Sequence, residues 1–94
     1  MIQLRITSKG IRMDGHANCH VNGQDIVCSA ISALTCNLIN ALRDLSGDQI
    51  RSETGNGMTV VEWQKLSDKG RLLVDTWFLG IADINREYNC IMFV

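Results

Sequence analysis

The chain has 94 residues, of which 46% are apolar and 20% are charged, and its formal net charge is −1. This length supports one hydrophobic core and therefore one domain spanning residues 1–94, and the small net charge argues against nucleic-acid binding driven by phosphate neutralisation. The N-terminus alternates apolar and polar residues, unlike a signal peptide, and no stretch approaches the ~18 apolar residues of a membrane span, so we expect a cytoplasmic protein with reduced cysteines.

The first part of the chain is predicted to form two strands and a loop. Apolar and polar residues alternate over residues 2–7, which is typical of a half-buried strand. A turn at residues 8–10 leads to a second strand that ends near His16. Residues 17–24 are polar and lack the periodicity of a helix or a strand, so they are predicted to form a loop.

The next segment carries the clearest helical pattern of the sequence. Asp25 stands where a helix N-cap is expected, and Gly47 stands where a helix stops. We therefore predict a helix between these two residues with one apolar face in the core. That face consists of Val27, Ile31, Leu34, Leu38, Ala41, Leu42 and Leu45.

The second half of the chain is predicted to form a hairpin, a helix and a last strand. Two short strands, around 49–52 and 58–63, are joined by a turn whose Asn-Gly pair is typical of tight turns. Ser67 is predicted to cap a helix over residues 68–87, and the apolar residues 91–94 form the last strand. The apolar stripe of the second helix consists of Leu73, Trp77, Ile81, Ile84 and Tyr88.

The element order β-β-α-β-β-α-β predicts the fold class. Two amphipathic helices bury their apolar faces most simply by covering one face of a mixed sheet. We therefore predict an α/β protein of the α+β type, a two-layer sandwich. The other face of the sheet is then solvated or covered by a partner.

Two chemically reactive residues flank the predicted 17–24 loop. Cys28 falls in the first turn of the first helix, where unpaired backbone amides and the helix dipole favour a thiolate. His16 lies at the end of the preceding strand, and such a strand end can lie beside the following helix N-terminus. Asp25 and Ser32, the latter one helical turn beyond Cys28, complete a local polar set. This combination suits a cysteine nucleophile with a histidine base.

Other interpretations of the same residues are open at this point. A single cysteine in a helix is most often a small buried residue, and Asp25 is by default a structural cap. Cys36 and Cys90 occupy positions that predict core packing, and a disulfide staple is disfavoured in a reducing compartment. A zinc site lacks the usual paired C-x2-C spacing. Its four ligands would be His16, Cys19, His20 and Cys28.

Two runs of residues form a long motif with fixed spacing. They are Gly15-His16-Ala17 and, after a variable loop, Asp25-Ile26-Val27-Cys28-Ser29-Ala30-Ile31-Ser32. This motif resembles the signature of the ribosomal-processing cysteine protease family, Prp, in which alanine is usual at the position of Ser29. The chain length, the alternating N-terminus and the element order also agree with that family.

The resemblance implies an activity and roles for the motif residues. Cys28 corresponds to the nucleophile and His16 to the general base, while Gly15, Asp25 and Ser32 occupy supporting positions. The implied activity is a cysteine endopeptidase without a metal or cofactor. It removes a short hydrophobic N-terminal extension from a bacterial large-subunit ribosomal protein through an acyl-enzyme. The implied partners are this extended peptide and a second copy of the chain, with no membrane or nucleic acid.

Two further expectations concern the loop and the alternative function. The loop lies over the presumed cleft and is expected to gate substrate entry. Its gating residues are Ala17, Asn18, Asn22, Gly23 and Gln24. Asp25 either caps the first helix or orients His16.

The alternative function is a non-enzymatic ribosome-assembly or protein-interaction module in which the cysteine is structural.

Overall fold

The strands and helices of the chain follow the predicted order. The computed structural model describes residues 1–16 and 25–94, and of Asp25 it describes the backbone alone. The elements are β1 (Ile2–Thr7), β2 (Gly10–Asp14), α1 (Asp25–Asp44), β3 (Ile50–Gly55), β4 (Met58–Trp63), α2 (Asp68–Tyr88) and β5 (Ile91–Phe93). The largest difference from the prediction is β3, which continues three residues beyond its expected end.

The five strands form one mixed sheet in the order β3-β4-β2-β1-β5. Neighbouring strands are antiparallel except for β1 and β5, which run parallel. Residues that lie opposite each other in the register share one face of the sheet. One of the two faces is apolar. Its buried residues are Ile2, Leu4, Ile11, Met13, Val61, Trp63 and Ile91.

Both helices pack on this apolar face, which confirms the predicted two-layer arrangement. Val27, Ile31, Leu38 and Leu42 of α1 belong to the buried core together with Trp77 and Ile81 of α2. The opposite face of the sheet carries exposed polar side chains, including an ion pair between Arg12 and Asp14. The core therefore lies entirely between the sheet and the helix pair.

A buried hydrogen bond links the two helices. The indole N–H of Trp77 donates to Thr35 Oγ1 at 3.0 Å, and the Thr35 hydroxyl donates to the carbonyl of Ile31 at 2.8 Å. Thr35 and Trp77 are each 3% exposed. The indole N–H of Trp77 and the hydroxyl of Thr35 therefore both have partners. The contact sets the position of α2 along α1 and leaves neither of these buried donors unsatisfied.

A second polar link joins the end of α1 to the start of α2. Ser67 is the N-cap of α2, as predicted, and its hydroxyl accepts from the Gly70 amide at 3.1 Å. The Asp48 carboxylate accepts from the hydroxyl of Ser46 at 2.6 Å and from the amide and hydroxyl of Ser67, both at 2.9 Å. The hydrogen bond from Ser46 is the main cause that lowers the pKa of Asp48, and those from Ser67 lower it further.

Three positions that the helical patterns placed in the core are exposed. Leu45 is 71% exposed because α1 ends at Asp44 and the chain then turns through Gly47 at φ +69°. Tyr88 is 49% exposed because the left-handed Asn89 directs the chain from α2 into β5. Cys36 is exposed because it lies one residue, about 100° around the helix, beyond the buried Thr35. Cys90 is buried, as predicted.

The hydropathy of α1 also differs from the expectation. Residues Ile26–Asp44 reach a mean hydropathy of 1.4, so by length and composition this segment could span a membrane, contrary to our reading of the sequence. The core helix of a globular domain passes the same test. Ile31 and Leu42 are buried in the core, and this packing accounts for the apolar residues on that face of α1.

Candidate active site

A cleft of about 280 Å³ lies where the end of β2, the first turns of α1 and the β3–β4 turn meet. It contains polar and apolar side chains in similar proportion. The lining residues from β1, from β2 and the two residues that follow it, and from α1 are Ile2, Met13, Gly15, His16, Cys28, Ile31 and Ser32. The hairpin contributes residues 54–59, so four separate segments of the chain build this cleft.

Gly15 places His16 at the edge of the cleft. Its φ of +101° is a conformation that L side chains rarely adopt, and a Cβ at this position would come within 2.8 Å of the carbonyl oxygen of Met1. Its amide donates to the carbonyl of Gly57 at 2.8 Å. Glycine is therefore required just before His16, whose side chain is exposed at the end of β2.

Cys28 enters the same cleft from the first turn of α1. Its side chain is partly buried and packs against the hydrophobic core through α1. Ser32, one turn later, lines the cleft as well. The structure therefore brings Gly15, His16, Cys28 and Ser32 together around one cavity, at the N-terminal end of a helix that favours negative charge.

The remaining predicted site residues lie outside the described part of the chain. These are Ala17, Asn18, Asn22, Gly23, Gln24 and the side chain of Asp25. Their gating, capping and orienting roles therefore stay predictions. Cys19 and His20 of the zinc hypothesis lie outside it too. Within residues 1–16 and 26–94, no three His, Cys, Asp or Glu side chains come together as metal ligands.

The β3–β4 turn is the part of the site that the sequence did not reveal. Its residues 54–59 form the side of the cleft that faces His16. The Asn-Gly pair was predicted as a tight turn, and Gly57 indeed has φ +71°, whereas Asn56 keeps a negative φ. Two glycines, Gly55 and Gly57, in one short turn are a signal of close backbone approach. Nothing in the sequence indicates that His16 is what approaches them.

The chemistry of the cleft suits covalent catalysis on a peptide. A thiol and an imidazole share a cavity with a hydroxyl, which are the groups of an activated cysteine nucleophile. Apolar side chains of Ile2, Met13 and Met58 line the same space. An apolar surface next to a few polar groups is typical of a site that binds a hydrophobic side chain and orients the bond beside it.

Comparisons with known proteins agree with this chemistry. A family profile described as cysteine protease Prp matches residues 1–92. The ribosomal processing cysteine protease Prp of Bacillus subtilis is 32% identical over 101 residues, which cover 94% of this chain and 90% of that protein. The protein of the same name from Staphylococcus aureus is 29% identical over 80 residues, which cover 82% and 76% of the two chains.

A solved structure extends the similarity to the whole fold. The crystal structure of the essential ribosomal processing protease Prp from S. aureus, in complex with a covalently linked product peptide, superimposes with a TM-score of 0.88. The two sequences are 27% identical, and the match covers 99% of this chain and 97% of the other. The profile match over almost the full length, the motif residues gathered around one cleft and the shared fold agree. The chain belongs to the cysteine protease Prp family.

Proposed function

We propose that this chain is an endopeptidase that removes a short hydrophobic N-terminal extension from the precursor of a bacterial large-subunit ribosomal protein. The observation that carries the proposal is the presence of His16 and Cys28 in one cleft, although they come from different elements. The relatives from B. subtilis and S. aureus are ribosomal processing proteases by name, which supports the substrate class.

In the proposed mechanism, Cys28 and His16 form the nucleophile and base. His16 takes the thiol proton, and the Cys28 sulfur attacks the carbonyl carbon of the scissile peptide bond. The C–N bond breaks as His16 returns the proton to the leaving amine, which leaves a thioester acyl-enzyme. Water then attacks the thioester, releases the carboxylic acid and restores the thiol. The covalently linked product peptide of the S. aureus relative supports an acyl-enzyme route.

The surroundings of the pair provide the other requirements of the reaction. Backbone amides in the first turn of α1 have no partner within the helix and are candidates to stabilise the oxyanion. Ile2, Met13 and Met58 line the cleft and would receive the hydrophobic residue beside the scissile bond. Asp25 caps α1 or orients His16, and the 17–24 loop closes over the bound peptide. No cofactor or metal enters this scheme.

The proposed function predicts that Cys28→Ala binds the precursor but does not cut it. The thiol is the group that forms the covalent bond, and alanine removes it while keeping the helix. The measurement is the mass of a ribosomal-protein precursor after incubation with each variant, with precursor binding followed in parallel by fluorescence anisotropy. Cys36→Ala, an exposed cysteine of the same helix, is the matched control and should cut at the wild-type rate.

The outcome that contradicts the proposal is precursor cleavage by Cys28→Ala, or an unchanged precursor mass with the wild type. A wild type that binds the precursor without cutting it would favour the alternative, a non-enzymatic ribosome-assembly or interaction module. In that case Cys28 would be a structural residue.

We also propose that the protein is a cytoplasmic homodimer. The sheet face opposite the helices carries the exposed Arg12 and the half-buried Asp14, and the edge strand β5 carries exposed Met92 and Phe93. A second copy that covers this face or this edge would shield the apolar side chains of Met92 and Phe93. Light scattering at micromolar concentration should give a mass twice that of the 10.5 kDa chain. A monomer under these conditions contradicts this prediction.

A further inference from the structure

Gly57, in the turn between β3 and β4, lies directly against the imidazole of His16. A Cβ built on Gly57 would come within 2.9 Å of His16 Nε2 and within 3.4 Å of both Cδ2 and Cε1. Real Cβ atoms essentially never approach another heavy atom within 3.0 Å. Every side chain at this position would therefore push the imidazole away from its present place.

The backbone of Gly57 also holds the residue before His16. Its carbonyl accepts the hydrogen bond from the Gly15 amide at 2.8 Å. The pairing of β2 with β4 continues this contact, since Asp14 lies opposite Met58 in the register. The turn is therefore held to the end of β2 by this hydrogen bond and by the adjoining strand pairing, and it cannot move away from His16 without breaking them.

We infer that Gly57 is a positioning residue for the proposed general base. Its missing side chain leaves the space that the imidazole occupies, and its carbonyl fixes the backbone that carries the imidazole. The β3–β4 turn thus sets the orientation of His16 toward Cys28 across the cleft. This inference rests on the proposed function, because it assigns to Gly57 an effect on catalysis that acts through His16.

Gly47 allows the backbone requirement to be separated from the contact with His16. Its φ of +69° is almost the same as the +71° of Gly57, but nothing lies within 4 Å of a Cβ built on it. Alanine therefore costs similar backbone strain at either position. Only at Gly57 does the added methyl group also meet the imidazole.

The test compares Gly57→Ala with Gly47→Ala in precursor cleavage and in alkylation of Cys28. We expect kcat of Gly57→Ala to fall by about 100-fold, with KM changed by no more than about twofold, because the base is misplaced while the apolar lining is kept. Gly47→Ala should keep the wild-type kcat. Iodoacetamide labelling of Cys28 at pH 6 should slow in Gly57→Ala, as in His16→Ala, but not in Gly47→Ala.

A second pair of variants covers the case in which Gly57→Ala does not fold. Asparagine adopts positive φ more readily than alanine but still carries a Cβ, so Gly57→Asn should lose cleavage while Gly47→Asn keeps it. Equal kcat and equal Cys28 labelling in the Gly57 and Gly47 variants would overturn the inference. The failure of the proposed function has a different signature, since the wild type would then leave the precursor uncut or Cys28→Ala would cut it.

Discussion

Replacing His16 by alanine is expected to lower kcat/KM for precursor cleavage by about 10²–10⁴-fold, the usual contribution of a general base. The free energy of unfolding should change by no more than about 0.5 kcal/mol, because the side chain is exposed and lies outside the core. Thermal unfolding followed by circular dichroism and product mass measured over time give the two quantities.

Added imidazole provides the control for this variant. The substitution removes the imidazole from the cleft that Cys28 and the β3–β4 turn also line, so free imidazole should restore part of the cleavage by His16→Ala and none by Cys28→Ala. A fall in the unfolding midpoint without loss of kcat would show that the imidazole is structural. Undiminished cleavage would remove His16 from the mechanism.

Replacing Asp48 by alanine is expected to have the largest effect on stability. The carboxylate accepts three hydrogen bonds that join the end of α1 to the N-cap of α2. Bonds to a charged acceptor are stronger than neutral ones, and with the partial exposure of this site we expect a loss of about 2 kcal/mol at pH 7. Urea denaturation measures it, and Asp75→Ala, an exposed carboxylate of α2, is the control.

The effect of Asp48 should depend on pH in one direction. The pKa of Asp48 is lowered in the folded protein, chiefly by the hydrogen bond from Ser46. The stabilisation is therefore present above the unfolded-state pKa of about 4 and is lost as the pH falls through the lower folded-state value. The stability difference between wild type and Asp48→Ala should shrink below about pH 4. A difference that grows on acidification would contradict this assignment.

The sequence predicted most of the fold because the core pattern is regular. The alternation over β1 and the three- and four-residue spacing of Val27, Ile31 and Leu38 follow directly from the geometry of a strand and a helix. The cap at Ser67 was also local, because a serine side chain bonds to an amide three residues later. Each of these features depends on residues that are close in sequence.

The predictions that failed depend on where an element ends or on how it is turned. Leu45 continues the apolar spacing of α1, but spacing does not indicate that the helix has already ended at Asp44. Cys36 is apolar enough for a core position, but the rotation of α1 about its own axis turns this side chain towards solvent. Such outcomes follow from tertiary packing, which local patterns do not contain.

The candidate site was predicted in part for the same reason. His16 and Cys28 lie on either side of one loop, so a local motif was enough to bring them together. Gly57 reaches His16 only because β4, on its side away from β3, pairs with β2. The strand order of a sheet cannot be read from the periodicity of its strands, and a contact that depends on it became visible only in the structure.

The contact between Gly15 and Met1 has a practical consequence for making the protein. The carbonyl of Met1 lies against Gly15, and Ile2 lines the cleft, so the start of β1 opens beside His16 and Cys28. An affinity tag placed before Met1 is therefore tethered close to the cleft, where a short flexible peptide reaches an effective concentration of the order of millimolar. A tag that the cleft binds would compete with added precursor and raise its apparent KM, so kinetic work calls for its removal or for a tag after Val94.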